Sequence, residues 1–233
     1  MGRILTGGDA SALQQVVDSI AAEGTGNDTP GTRAIVSSGL DAAIPSMQQD
    51  FREDAEKAAR RYEDAGYVSV SDVDGDSLLE QDNATVIARL AEALTQGTDD
   101  YWLYSNHGVN NKFVDEFAEF GVDFGDDRPL LIMGTCLMGL ADWDIGEEDN
   151  RFVYDAFARN ANAIVAATVT VGNSYAIDFL DDLIRYTTGA RTNFLGVDRD
   201  VAAQEIGRAL AEAANDNAAL WSGSVSHLGF ALY

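Results

Sequence analysis

Pro129-Leu130-Leu131-Ile132-Met133-Gly134-Thr135-Cys136 is an apolar run that ends in the one cysteine of this 233-residue chain. A short run of large apolar residues is typical of a strand buried on both faces of a parallel sheet. A second such run, Tyr101-Trp102-Leu103-Tyr104-Ser105-Asn106-His107-Gly108, contains one of only two histidines. Sites in open α/β sheets form beyond the carboxyl ends of parallel strands. The two runs therefore predict that Cys136 and His107 lie together at one edge of a sheet.

The segments around these two runs alternate between helix and strand patterns. Further strands are predicted at 33–38, 67–71, 163–171 and 225–233, and helices at 9–22, 47–62, 87–94, 149–160, 175–186 and 201–210. Gly66 suits the left-handed position just past the end of the second helix. Strands that alternate with helices indicate an α/β fold whose mainly parallel sheet, of about six strands, is covered on both faces. We expect residues 1–233 to form a single domain.

The charge of the chain limits its partners. Asp and Glu number 39 against 15 Lys and Arg, which gives a formal net charge of −24. A surface this acidic repels nucleic acid and anionic membranes, so neither is an expected partner. Two interpretations remain open: solvation of the whole surface, as in proteins adapted to high salt, or a specific site for a basic partner.

Cysteine content and hydropathy bear on the compartment. A single cysteine excludes an internal disulfide and argues against a cysteine-based zinc site. No stretch reaches the roughly 18 apolar residues of a membrane helix, and the N-terminus has no charged-then-apolar signal peptide. We therefore expect a soluble chain. Its compartment is left open, including the case of a domain cut from a longer exported precursor.

Cys136 and His107 suit thiol catalysis. Such chemistry needs a thiolate, a base that generates it, and backbone N–H groups that hold the developing oxyanion. The N–H groups of Gly108 and Cys136 are the candidates for that oxyanion hole, because a glycine lets the main chain approach a scissile carbonyl. Taken alone, a buried cysteine is more often a small core residue. The occurrence of both residues at equivalent strand ends favours catalysis.

Asn106-His107-Gly108 and Gly134-Thr135-Cys136-Leu137-Met138-Gly139 resemble the motifs of the gingipain-type cysteine peptidases, in the wider clan of caspases, legumain and separase. In that family an apolar strand ends in His-Gly, and a later apolar strand ends in a small residue and the catalytic cysteine. The segments 2–5, 161–168 and 206–210 also resemble family segments. Position 106 departs from the family, which usually has Gly-His-Gly. The chain looks like a haloarchaeal-type member that lacks the first subdomain.

The resemblance implies a caspase-like three-layer sandwich and a cysteine endopeptidase that cleaves peptide bonds through a thioester. Cys136 would be the nucleophile and His107 the general acid/base. The resemblance and the positions after Cys136 suggest a pocket for the residue before the cut, formed by Thr168, Val169, Thr170, Asp142 and Asp144, the two acids selecting Arg or Lys. No cofactor or catalytic metal is expected, whereas calcium is a candidate structural ion. The expected partners are a polypeptide substrate and a segment that replaces the first subdomain.

Several alternatives remain open. Asp50, Glu53 and Asp54 are candidates for a third residue that orients His107, or are simply the solvated face of a helix. The chain could be a catalytically silent relative that serves as a binding or scaffold module, or a thiol amidohydrolase or acyltransferase with a small closed pocket. The segment 72–76 resembles a calcium loop, but its glycine is misplaced for an EF-hand, which favours a solvated turn.

Overall fold

The structure is a computed structural model. It describes residues 33–40, 45–73, 76–77, 81–82, 88–89, 91–94, 99–106, 123–125, 128–136, 139, 144–145, 148–149, 152–168, 173–189, 192–194, 197–199, 206–220 and 230–232. The helix predicted at 9–22 lies outside the described residues. Residues 88–89 and 91–94 are helical, in agreement with the helix predicted at 87–94.

The longer described strands and helices correspond to those that the sequence predicts, and several short strands lie between them. The strands are β1 (Arg33–Leu40), β2 (Val68–Val70), β3 (Asp72–Val73), β4 (Asp76–Ser77), β5 (Gln81–Asp82), β6 (Asp99–Ser105), β7 (Leu130–Gly134), β8 (Asp144–Ile145), β9 (Glu148–Asp149), β10 (Ala163–Ala167), β11 (Thr192–Phe194), β12 (Val197–Arg199) and β13 (Phe230–Leu232). The helices are α1 (Pro45–Asp64), α2 (Phe152–Ala158), α3 (Asn173–Thr188) and α4 (Ile206–Leu220).

The central sheet has the strand order β13-β10-β7-β6-β1-β2, and β5 pairs with the end of β1. The strands β10, β7, β6, β1 and β2 run parallel, while β13 is antiparallel to β10. This arrangement confirms the predicted mainly parallel sheet of about six strands. Because β6 and β7 are neighbours and parallel, their carboxyl ends emerge at the same edge.

Side-chain alternation along the strands divides the core between the two faces of the sheet. Leu103 and Ile132 belong to the face that packs against α1, α3 and α4. Trp102, Leu131 and Met133 belong to the opposite face, which packs against α2 and the short helix at 91–94. Both faces of β6 and β7 are therefore buried, which is why these strands read as continuous apolar runs. The three layers are those of the predicted sandwich.

Ion pairs join the three helices, α1, α3 and α4, that cover one face of the sheet. Arg61 of α1 donates two hydrogen bonds to Asp181 of α3, at 2.7 and 3.2 Å. Arg185 of α3 contacts Asp216 of α4 at 2.8 Å and Asp182 at 3.2 Å. In so acidic a chain, cations at these helix contacts offset repulsion between neighbouring carboxylates.

The sequence predicted the ends of some helices and strands correctly and others only in part. Gly66 has a φ of +92° just beyond α1, as expected for the left-handed residue past a helix end. The helix predicted at 201–210 is described as α4, which continues to Leu220. The strand predicted at 163–171 is described as β10, and Thr168 already lies in a bend.

Short hairpins account for most of the described strands that the sequence analysis missed. Strands β3 and β4 pair antiparallel, with Asp72 opposite Ser77. The segment 72–76, which resembles a calcium loop, thus contains β3 and the first residue of β4, whereas an EF-hand loop lies between two helices. Strands β8 and β9, and β11 and β12, form two more such pairs. Two- and three-residue strands are too short to show a period of two, so the pattern of the sequence does not reveal them.

None of the helices in the described part of the chain combines the length and the apolar character of a membrane span.

Gly134, the last residue of β7, provides a test of the packing at this edge. A Cβ added there would lie 2.8 Å from Leu180 Cδ1 and 3.3 Å from the Tyr104 carbonyl oxygen. Because Leu180 is itself buried, we expect Gly134→Ala to lower the free energy of unfolding by about 1–3 kcal/mol. Urea unfolding monitored by circular dichroism measures this change.

Gly207 of α4 provides the matched control. A Cβ there would meet Leu232 Cδ2 at 3.9 Å, which is an ordinary contact. Gly207→Ala should leave stability unchanged or raise it by up to about 1 kcal/mol, since alanine favours helix. Equal effects of the two substitutions would contradict the close packing at Gly134.

Candidate active site

Cys136 lies at the carboxyl end of β7 and is half-buried. It packs with Phe230 against Ala167 and Ala176, which belong to β10 and α3. The loop that follows is attached to the same place, because the Gly139 N–H donates a hydrogen bond to the Ala167 carbonyl at 2.9 Å. Cys136 thus lies at the edge of the sheet against β10 and α3, and the residue is partly exposed to solvent.

The backbone pairing of β6 and β7 fixes how their ends face each other. Tyr101 lies opposite Leu130, and the pairing continues without a shift to Ser105 opposite Gly134. Glycine at position 134 allows α3 to approach closely, since Leu180 occupies the space that a Cβ would need. Strand β6 ends at Ser105, and the described residues continue to Asn106, one residue before His107.

The other predicted site residues fall into two groups. Thr168 is half-buried directly after β10, and the β7–β10 register, continued by two rows, places it opposite Thr135. Asp144 lies in β8, where its backbone pairs with Asp149, and its side chain lies outside the described part. The remaining candidates lie outside the described residues: His107, Gly108, Asp142, Val169 and Thr170. The roles of all these residues stay predictions.

A polar network lies beneath the carboxyl end of β6, on the α2 side of the sheet. Asn106 is 2% exposed, and its Nδ2 donates a hydrogen bond to the Tyr104 hydroxyl at 3.0 Å. On the neighbouring strand β1, the Ser37 hydroxyl accepts a hydrogen bond from Trp102 Nε1 at 3.2 Å. The sequence analysis missed this network. The sequence did contain an indication of it: Tyr104 and Asn106 both carry polar groups and are two residues apart, which places them on the same face of the sheet.

Asp54 differs from the other two acids proposed to orient His107. Asp50 and Glu53 are exposed on α1, whereas Asp54 is half-buried. Burial, reinforced by Asp50, Glu53 and Asp178 nearby, raises the pKa of Asp54 to about 7, and Lys57 lowers it only in part. The buried Oδ2 of Asp54 has no hydrogen-bond partner among the described residues.

Asp54 lines a cavity between α1, α3 and the end of β6. The cavity wall includes Ser105 of β6, Lys57 of α1 and Asp181 of α3. Ser105 is two residues before His107, so the cavity lies just below the predicted site. The spacing of charged residues on α1 did not distinguish Asp54 from its exposed neighbours, because burial depends on where α3 packs.

Within the described part of the chain, no group of three or more His, Cys, Asp or Glu side chains is arranged to hold a metal ion. The expectations about cofactors and calcium stay predictions, because several acidic residues lie outside that part.

No protein-family model matches the sequence, and no curated protein matches it. A solved structure described as "Structure of Protease" is similar to the chain, with a TM-score of 0.57 and 13% sequence identity. The likeness concerns the fold. It covers 95% of this chain and 51% of that one, so the chain spans about half the length of that structure. The sandwich described above is therefore similar in architecture to a protein described as a protease.

Asp54 makes the stability of the protein depend on pH. Its pKa is about 7 in the folded protein and about 3.9 in an unfolded chain. Between these values the folded state holds a proton that the unfolded state releases, so stability falls as pH rises through this range. We expect Asp54→Asn to become progressively more stable than the wild type from about pH 4 to about pH 7, with a constant difference above that range.

Urea unfolding at a series of pH values measures this difference. Glu63→Gln is the control, because Glu63 is exposed on the same helix and water already solvates its carboxylate. If Asp54→Asn and the wild type kept the same difference in stability at every pH, the raised pKa of Asp54 would be wrong.

Proposed function

We propose that this protein is a cysteine endopeptidase, with Cys136 as the nucleophile and His107 as the general acid/base. The observation that carries the proposal is the register of β6 and β7, in which Ser105 lies opposite Gly134. In the sequence, His107 comes two residues after Ser105, and Cys136 comes two residues after Gly134. If the register continued for two rows beyond this last described pair, it would bring the two residues opposite each other. Neighbouring strands lie about 4.8 Å apart, which is close enough for side chains at paired positions to come within the hydrogen-bonding distance that a nucleophile and its base need.

The alternation of side chains supports the same pairing. Leu103 and Ile132 face α1 and α3, and positions 105 and 134 come two residues later. Because successive side chains alternate between faces, extended backbone would place His107 and Cys136 on this same face. The packing of Cys136 against Ala167 and Ala176, the latter in α3, agrees with that direction.

The proposed reaction follows from these groups. The imidazole of His107 takes the proton from the Cys136 thiol, and the thiolate attacks the carbonyl carbon of the scissile peptide bond. The N–H groups of Gly108 and Cys136 donate hydrogen bonds to the resulting oxyanion. As the C–N bond breaks, His107 donates its proton to the leaving amine and a thioester remains. Water activated by His107 then hydrolyses the thioester and releases Cys136.

The substrate that suits this site is a polypeptide. The proposed pocket for the residue before the cut is formed by the end of β10 and the segment after Cys136. Acids in that segment would favour Arg or Lys, in keeping with a net charge of −24. The residues proposed to line it are Thr168, Val169, Thr170, Asp142 and Asp144. The chemistry needs no cofactor, and calcium would act as a structural ion.

Labelling by a peptidyl electrophile tests the proposal. The probes end in Arg, Lys, Asp or Asn, and adducts are read by intact mass at high and low salt. We expect an adduct on Cys136 that Cys136→Ala abolishes and that His107→Ala slows by about 100-fold or more, the usual contribution of a general base. The Arg and Lys probes should react fastest.

His227→Ala is the matched control, since it removes the other histidine of the chain and should leave labelling unchanged. Circular dichroism of each variant establishes that it is folded. A folded wild type that no probe labels would contradict the proposal and favour a catalytically silent binding module. Labelling by small electrophiles without a peptide part, but by none of the peptidyl probes, would favour an amidohydrolase.

A further inference from the structure

We propose that Asn106 is a positioning residue for His107, and that it acts through its hydrogen bond to the Tyr104 hydroxyl. The inference rests on the proposed function, because it concerns the histidine of that dyad. It assigns a role to the position at which this chain departs from the glycine of the gingipain-type motif.

The hydrogen bond between Asn106 and Tyr104 is buried. Asn106 Nδ2 lies 3.0 Å from the Tyr104 hydroxyl, and both residues are almost completely shielded from solvent. Tyr104 belongs to the core cluster on the α2 side, together with Met133 and Phe152. A hydrogen bond in such surroundings is costly to break, because neither group could then be solvated by water. The amide is therefore held by the core and not by a surface loop.

Covalent geometry transmits this restraint to the histidine. The Cα atoms of Asn106 and His107 are joined by one trans peptide, about 3.8 Å apart. Tyr104 and Asn106 point to the α2 side, whereas Ser105 lines the cavity on the α1 and α3 side. Fixing the Asn106 side chain in the core orients the peptide that leads to His107. A glycine at position 106 would have no side chain to hold that peptide.

The neighbouring strand carries a matching polar residue before the proposed nucleophile. The β6–β7 register, continued by one row, places Asn106 opposite Thr135. Thr135 is 1% exposed, and its Oγ1 has no hydrogen-bond partner among the described residues. A buried hydroxyl without a partner is unfavourable. Its location in the same row as Asn106 means that both proposed dyad residues directly follow polar residues buried at this edge.

The reactivity of Cys136 toward iodoacetamide as a function of pH tests the inference. Because the chain has one cysteine, an adduct seen by intact mass reports Cys136 alone. We expect the wild type to be labelled fast at neutral pH and His107→Ala to be labelled slowly, because the histidine takes the proton from the thiol.

Tyr104→Phe removes only the hydroxyl that accepts the hydrogen bond, and Asn106→Ala removes the donor. Each should move the pH profile of labelling toward that of His107→Ala and slow labelling at neutral pH by about tenfold, because small misplacements of catalytic groups are costly. The double variant should be no slower than the slower single variant, since both remove the same hydrogen bond.

Ser37→Ala is the matched control. It removes the buried hydrogen bond to Trp102 Nε1, on the same side of the sheet. It should lower the free energy of unfolding and leave the pH profile unchanged. A purely structural role for Asn106 would give this same result.

The outcomes separate the inference from the function on which it rests. If labelling depends on His107 but Tyr104→Phe keeps the wild-type profile, the inference is overturned and the proposed dyad stands. If the wild type is labelled no faster than His107→Ala at any pH, both are overturned. If Asn106→Ala does not fold, Tyr104→Phe alone tests the inference, because it keeps the aromatic ring that fills the core.

Discussion

The candidate site depends on one constraint, the backbone register between β6 and β7. A shift of one residue along either strand would move a side chain at its end to the opposite face of the sheet. Since both faces of these strands are apolar and buried, the side-chain pattern alone does not select the register. Close packing at Gly134 contributes to it, because Leu180 and the Tyr104 backbone leave no room there for a larger residue. A glycine chosen for packing thus helps to align two strand ends.

The two faces of the sheet make different contributions to this edge. On the α2 side, aromatic side chains form the core, and Tyr104 provides the hydroxyl that holds Asn106. On the other side, α1 and α3 are joined by Arg61 and Asp181, and the cavity lined by Asp54 lies next to Ser105. The α2 side therefore restrains the end of β6 through the buried hydrogen bond between Asn106 and Tyr104. The α1 and α3 side places the carboxyl group of Asp54 in the cavity next to that end.

The acidic composition has a structural consequence inside the protein as well as on its surface. Burial raises the pKa of Asp54 to about 7 and that of Asp182 to about 6, although cations lie near both. Burying a carboxylate is costly unless it is well paired. Arg185 contacts Asp182 and Asp216 and so joins α3 to α4. With 15 Lys and Arg against 39 Asp and Glu, the few cations placed between helices matter more than those elsewhere.

The sequence by itself determined the class of fold and the identity of the thiol. Apolar runs without alternation predict buried parallel strands, and helical spacing predicts α1 and α3, because these patterns report local burial. The sequence did not determine the extent of α4 or the short hairpins. It also left open the β6–β7 register, the burial of Asp54 and the bond between Asn106 and Tyr104. Tertiary structure decided these features, because each depends on packing between segments far apart in the chain. Gly134 and Leu180, for example, lie in different layers of the sandwich, and no local periodicity reports their contact.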